Sequence, residues 1–126
     1  MTDFSKVPSP CFLLDEALLR QNLAQIAEVQ ERAGVEIIVA LKANATWSIF
    51  PVLREYVGGA TASSVAEARL VYEEFGTPCH TYATVYSDSE IEQILSFSSH
   101  ITFNSVSQFE RFGAMAILRG ISCGLR

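Results

Sequence analysis

The sequence predicts an α/β protein with a parallel sheet, the N-terminal part of a (β/α)8 barrel with about five β/α units, preceded by a short strand and a helix. Three observations lead there. Short apolar, β-branched runs alternate with helical patterns in units of roughly 20 to 25 residues, the spacing of parallel strands joined by right-handed crossovers. Three predicted helices open alike, with Ser64 three before Glu67, Ser87 three before Glu90 and Ser105 three before Gln108; each is a capping box, which satisfies orphan N–H groups at a helix start. The last stretch, Gly120-Ile121-Ser122-Cys123-Gly124-Leu125-Arg126, reads as a strand opening with no helix after it. Five strands would complete a doubly wound sheet, whereas a whole barrel takes about 250 residues. That ending favours the barrel, with the chain as the N-terminal part of something longer.

Taken in order, residues 1–15 form a leading segment. Pro8 and Pro10 keep it extended, and Cys11-Phe12-Leu13-Leu14 is a strand candidate stopped by Asp15. Asp15 caps a helix from Glu16 to about Arg32, with Leu19, Leu23, Ile26 and Ala27 as its apolar stripe and Gly34 as its stop. A strand over 36–43 leads to a helix over 46–57 that becomes regular only from Pro51 and stops at Gly58-Gly59. A short strand at 60–62 precedes a helix over 64–75, ended by Gly76. A strand over 79–85 precedes a helix over 88–97, a strand over 100–104 precedes a helix over 106–118, and a last strand opens at Ile121.

The strand over 36–43 carries the most telling residue. The run Glu36-Ile37-Ile38-Val39-Ala40-Leu41-Lys42 ends in one of only two lysines in the chain, the other being Lys6. A lysine closing an apolar strand either reaches water or is used chemically, because burying an ammonium is costly. Alternation sends Ile38, Ala40 and Lys42 to one side. If that side is a barrel interior, Lys42 stands at the C-terminal mouth, where barrel enzymes keep their chemistry. Partly desolvated there, its amine becomes a nucleophile towards an aldehyde.

Composition narrows the remaining classes. A net charge of −5 supplies no basic surface for nucleic acid and is compatible with a cationic small molecule or any ordinary cytosolic protein. With 49% hydrophobic residues the chain has a globular composition, and no apolar run approaches the roughly 20 residues of a membrane span. Its start lacks the order of a signal peptide, which makes the cytoplasm the default location. Cys11, Cys79 and Cys123 stand far apart without a CxxC pair, and with only His80 and His100 they form no zinc pattern. They read as reduced, partly buried thiols, and the two histidines as strand-start surface residues.

At Lys42 the chain resembles carboxynorspermidine (carboxyspermidine) decarboxylase, of the alanine-racemase-like and ornithine/diaminopimelate/arginine decarboxylase group. The matching stretches are Pro8-Ser9-Pro10-Cys11-Phe12-Leu13-Leu14-Asp15, Ala40-Leu41-Lys42-Ala43 with Trp47-Ser48-Ile49-Phe50-Pro51, and Thr61-Ala62-Ser63-Ser64 with Glu67-Ala68-Arg69-Leu70. Tyr72-Glu73-Glu74-Phe75-Gly76, Phe103-Asn104-Ser105-Val106-Ser107-Gln108-Phe109-Glu110-Arg111 and Gly124-Leu125-Arg126 follow in family order. Ala60 stands where the ornithine decarboxylase branch commonly has an acidic residue.

The resemblance implies a polyamine-forming decarboxylase that uses pyridoxal 5'-phosphate, with Lys42 holding the cofactor through its aldehyde. It implies a carboxylated polyamine substrate and, at full length, a homodimer. Residues 1–15 would lend a strand to a C-terminal β-domain, and 16–126 would be a partial cofactor-binding barrel. The phosphate-binding glycines and the substrate-binding acids would lie beyond Arg126, so this chain alone is expected to be inactive. Ser63 and Asn104 could line the cofactor pocket or serve helix entry and turns. Thr61 could face the cofactor or pack in its strand, and Trp47 could wall the pocket or join the core. The alternatives are a non-catalytic cofactor-carrying barrel, another amino-acid decarboxylase of the group, and a doubly wound binding module with Lys42's strand central.

Overall fold

Helix α1 (Glu16–Ala33) begins where expected. The Asp15 carboxylate accepts from the N–H groups of Ala17 and Leu18 at 2.9 and 3.1 Å, and Gly34 ends the helix at φ 64°, a left-handed cap that favours glycine. The structure, a computed structural model, describes residues 4–126, Phe4 by its backbone only; the expectation for residues 1–3 of the leading segment lies outside the described residues.

After α1 come β1 (Val39–Ala40), α2 (Phe50–Leu53) with a 3₁₀ turn at Trp47–Ile49 before it, and β2 (Ala60–Ala62). Then follow α3 (Val65–Leu70), which widens into a π turn over Val71–Phe75, β3 (Cys79–Tyr82) and α4 (Ile91–Phe97). The series closes with β4 (Ser98–Phe103), α5 (Val106–Leu118) and β5 (Ser122–Leu125).

All four strand pairings are parallel and the spatial order is β1-β2-β3-β4-β5. A doubly wound sheet reverses direction at a switch point and places its first strand inside. Here β1 is an edge and every strand neighbours the next, which is barrel order. The doubly wound alternative, with Lys42's strand central, is therefore overturned. The five strands and their intervening helices form a partial barrel.

Several expected elements are shorter than the hydrophobic runs that suggested them. Cys11–Leu14 forms no strand, since no described segment pairs with it, and Phe12 lies fully exposed. At the sheet edge β1 pairs only with the three-residue β2, and the chain turns away when Ala43 N–H donates to the Ala40 carbonyl at 3.0 Å. The helix expected over 46–57 is regular only over 50–53, with Pro51 in its first turn and Gly58-Gly59 a few residues beyond its end. Strand β3 stops at Tyr82 because the buried Tyr86 hydroxyl takes the next places: it accepts from Ala83 N–H at 3.0 Å and donates to the carbonyls of Thr102 and Thr81 at 2.9 and 3.3 Å. Burial pushes the Tyr86 phenol up to about 12.

The helices cover one face of the sheet. Leu41, Ala60, Ala62, Cys79, Thr81, Ile101 and Phe103 point into them and are buried. Phe50 and Phe75 anchor one cluster with Leu23 of α1; Phe103, packed edge-on against Tyr86 and Phe109, anchors a second with Ile91, Leu95 and Phe112. The buried Thr81 and Ser98 side chains are satisfied, whereas the Thr77 hydroxyl and the Gln108 amide oxygen find no hydrogen-bond partner among the described residues. Thr81 and Ser98 hydroxyls lie 2.6 Å apart, the Cys79 thiol is 3.0 Å from Thr81, and Ser98 donates to the Ile94 carbonyl at 2.7 Å. Cys123 is half-buried, but Cys11 is exposed, contrary to the expected partial burial of all three thiols.

Candidate functional site

Parallel partners share a face of the sheet, so the ladders name the residues opposite the helices. Ala40, Thr61, His80, His100 and Ser122 form one row across the strands; Tyr82, Thr102 and Gly124 form the next row towards the C-terminal ends. In a barrel this face lines the interior, and its C-terminal edge is the mouth.

Lys42 stands at that edge. Leu41 still belongs to the sheet, its N–H donating to the Thr61 carbonyl at 3.1 Å, and its side chain is buried under the helices. The next residue, Lys42, is exposed and makes no hydrogen bond or ion pair with any described residue. Its exposure differs from the expected partial desolvation, because only five strands surround the mouth. A primary amine at a strand end can attack a carbonyl carbon once it has given up its proton.

The other expected site residues occupy the same edge with separate duties. Thr61 is half-buried in the interior row, two strands from His100. Ser63 follows β2, and its N–H donates to the Glu67 carboxylate at 2.7 Å, the helix-entry role; Ser64 accepts from Glu67 N–H at 3.1 Å. Asn104 follows β4 and accepts from the Tyr82 hydroxyl at 3.0 Å, a cross-strand bond rather than a turn bond. No hydrogen bond joins Lys42, Thr61, Ser63 and Asn104 to one another. Trp47 is exposed, outside the core.

A groove of about 440 Å³ lies beside the lysine's loop, lined by Phe12, Leu13, Leu14 and residues 43–46. The loop is pinned by Thr46 N–H donating to the Asn44 side-chain oxygen at 3.0 Å.

Sequence reasoning missed two features of this face. His100 is exposed, as expected, but is the third residue of β4 rather than its first, and His80, second in β3, is half-buried. They sit side by side within the strands, their rings stacked with centroids 3.9 Å apart. Burial, then His100, lowers the His80 pKa, and Glu36 opposes the shift. Tyr82 and Arg126 were also passed over, and the Arg126 guanidinium lies 5.0 Å above the Tyr82 ring. The available signal was period-two spacing, His80 to Tyr82 and Thr102 to Asn104, read across aligned strands. Among the described residues no group of three His, Cys, Asp or Glu side chains could hold a metal, and no helix is long and apolar enough to cross a membrane.

The fold and this edge define the class: a partial α/β barrel with an unpartnered lysine at the C-terminal end of its first strand. Over the span it shares with them, the chain is similar to curated carboxy(nor)spermidine decarboxylases and to a carboxyaminopropylagmatine decarboxylase. It is 45% identical over 122 residues to carboxyaminopropylagmatine decarboxylase of Synechocystis sp., covering 97% of this chain and 32% of that protein. It is 39% identical over 110 residues to carboxynorspermidine/carboxyspermidine decarboxylase of Herminiimonas arsenicoxydans, covering 87% of this chain and 30% of that protein. The chain thus spans about a third of the length of the curated relatives it matches. Among solved structures, Campylobacter jejuni carboxynorspermidine decarboxylase complexed with norspermidine superposes with a TM-score of 0.88 at 33% identity, over 93% of this chain and 31% of that one. D-threonine aldolase of Filomicrobium marinum shares the fold at a TM-score of 0.78 and 15% identity, over 94% of this chain and 34% of that one. No protein-family model matches the chain.

Proposed function

We propose that this chain forms the cofactor-anchoring part of a pyridoxal-phosphate-dependent decarboxylase that converts a carboxylated polyamine to the free polyamine. The observation that carries the reading is Lys42, exposed and unpartnered at the mouth edge of a barrel whose homologues are decarboxylases. The residues fit the cofactor: Lys42 supplies the amine for its aldehyde, while Thr61, Ser63 and Asn104 stand on the same edge to border it. When bound, the cofactor supplies an electron sink for the pair left as carbon dioxide departs. Lys42 binds and orients it, and the interior row beneath forms the floor.

The substrate is a carboxylated polyamine, and two versions are in view. The resemblance favours carboxynorspermidine or carboxyspermidine; the 45% identity to a carboxyaminopropylagmatine decarboxylase favours a precursor ending in a guanidino group. The full protein is proposed to be a cytoplasmic homodimer, with residues 1–15 pairing into a β-domain and 16–126 belonging to the barrel.

The test is direct. Pyridoxal phosphate added to the chain is expected to give the visible absorbance of a lysine-bound cofactor, and borohydride should fix it on Lys42, as read by peptide mass. Lys42→Ala should abolish both, and fixation elsewhere would remove Lys42 from the role. The full-length protein, assayed on the three carboxylated precursors, decides the substrate.

A further inference from the structure

Building on the cofactor-binding reading, we propose that Tyr82 is a positioning residue that holds the Asn104 carboxamide and the Arg126 guanidinium as one preformed donor pair for an oxyanion of the ligand, a phosphate or a carboxylate. Tyr82, Thr102 and Gly124 are neighbours across β3, β4 and β5, and Asn104 and Arg126 each follow by two residues on the same face. The ladder persists to the chain's last residue, since Arg126 N–H donates to the Phe103 carbonyl at 3.0 Å.

Thr102 is small and Gly124 has no side chain, so Arg126 can lie across β4 and reach the Tyr82 ring, 5.0 Å from its guanidinium carbon. The Tyr82 hydroxyl donates to the Asn104 side-chain oxygen at 3.0 Å. That bond uses one lone pair of the amide oxygen, fixes which end of the carboxamide faces Tyr82, and leaves the NH2 unbonded. Arg126 makes no ion pair with a described residue, so its guanidinium donors are also unspent. One tyrosine thereby orients two groups that each present N–H donors, through its hydroxyl and its ring. Such N–H donors, one set of them charged, complement an oxyanion.

The test follows the Arg126 Nε–H and Asn104 Nδ2–H2 signals of the 126-residue chain by NMR. Without ligand, the Arg126 side-chain protons are expected upfield from the Tyr82 ring current, retained in Tyr82→Phe and lost in Tyr82→Leu. Titrated with inorganic phosphate, acetate and pyridoxal phosphate, both donor signals should follow one saturation curve, and the tighter of phosphate and acetate names the oxyanion. Tyr82→Phe should weaken that binding about five-fold, the worth of one hydrogen bond, and Tyr82→Leu about ten-fold or more. The proposal is overturned if no anion moves both signals, or if Tyr82→Leu, shown folded by circular dichroism, binds as the parent does. Binding of either anion without cofactor fixation on Lys42 sinks the cofactor reading alone; fixation without binding of either anion sinks this proposal alone.

Discussion

At the scale of single residues, the stacked histidines make the clearest energetic statement. In the folded chain His80 is held below the ordinary imidazole value of about 6.5, first by burial and then by His100. The folded state therefore binds fewer protons than the unfolded one once the pH falls below that value. Stability should be full above about pH 6.5 and lost as the pH drops through the folded-state value. Denaturant unfolding between about pH 7.5 and 5 checks this, and His100→Gln should flatten the profile by removing one charge that opposes protonation. Stability that rose into acid would contradict the arrangement. Phe103, wholly buried between Tyr86 and Phe109, should cost about 3–5 kcal/mol when replaced by alanine, measured by the same unfolding curves. Lys42 was legible in the sequence because a charged residue ends an apolar run. Tyr82 was not, since its role depends on residues 22 and 44 positions away, and single-strand periodicity carries no pairing information.

At the scale of elements, helix starts were easier to read than strand ends. Ser64 and Ser105 accept from the N–H groups of Glu67 and Gln108, so either Ser→Ala change should cost about 1 kcal/mol. Ser87 fits the same sequence pattern but donates its hydroxyl to the Glu90 carboxylate at 2.5 Å and caps no N–H group. Ser87→Ala should therefore cost less than either, and equal costs in chemical denaturation would refute the distinction. The reciprocal half of the box also differs by site. Glu67 reaches Ser63 N–H, and Gln108 donates to the Thr84 carbonyl. Strands ended earlier than their apolar runs because the ends are set by partners: the short β2 beside β1, and the Tyr86 hydroxyl beyond β3. Those competitors lie in other parts of the chain and leave no local mark.

At the scale of the whole molecule, parallel architecture followed from alternating strand and helix patterns, and strand order required the structure. A five-stranded partial barrel leaves apolar surface uncovered at its last helix and strand, where Ile117, Leu118 and Leu125 are exposed. The chain by itself should bind a dye that reports exposed apolar surface; a sharply melting monomer that bound none would contradict this. The same strand order bears on assembly. Each strand pairs with one roughly twenty residues away, so contacts form between near neighbours in sequence. Folding of this kind has low contact order and pays little loop-closure entropy at each step. The sheet can therefore grow one unit at a time in the direction of synthesis, each finished strand serving as the template for the next to leave the ribosome.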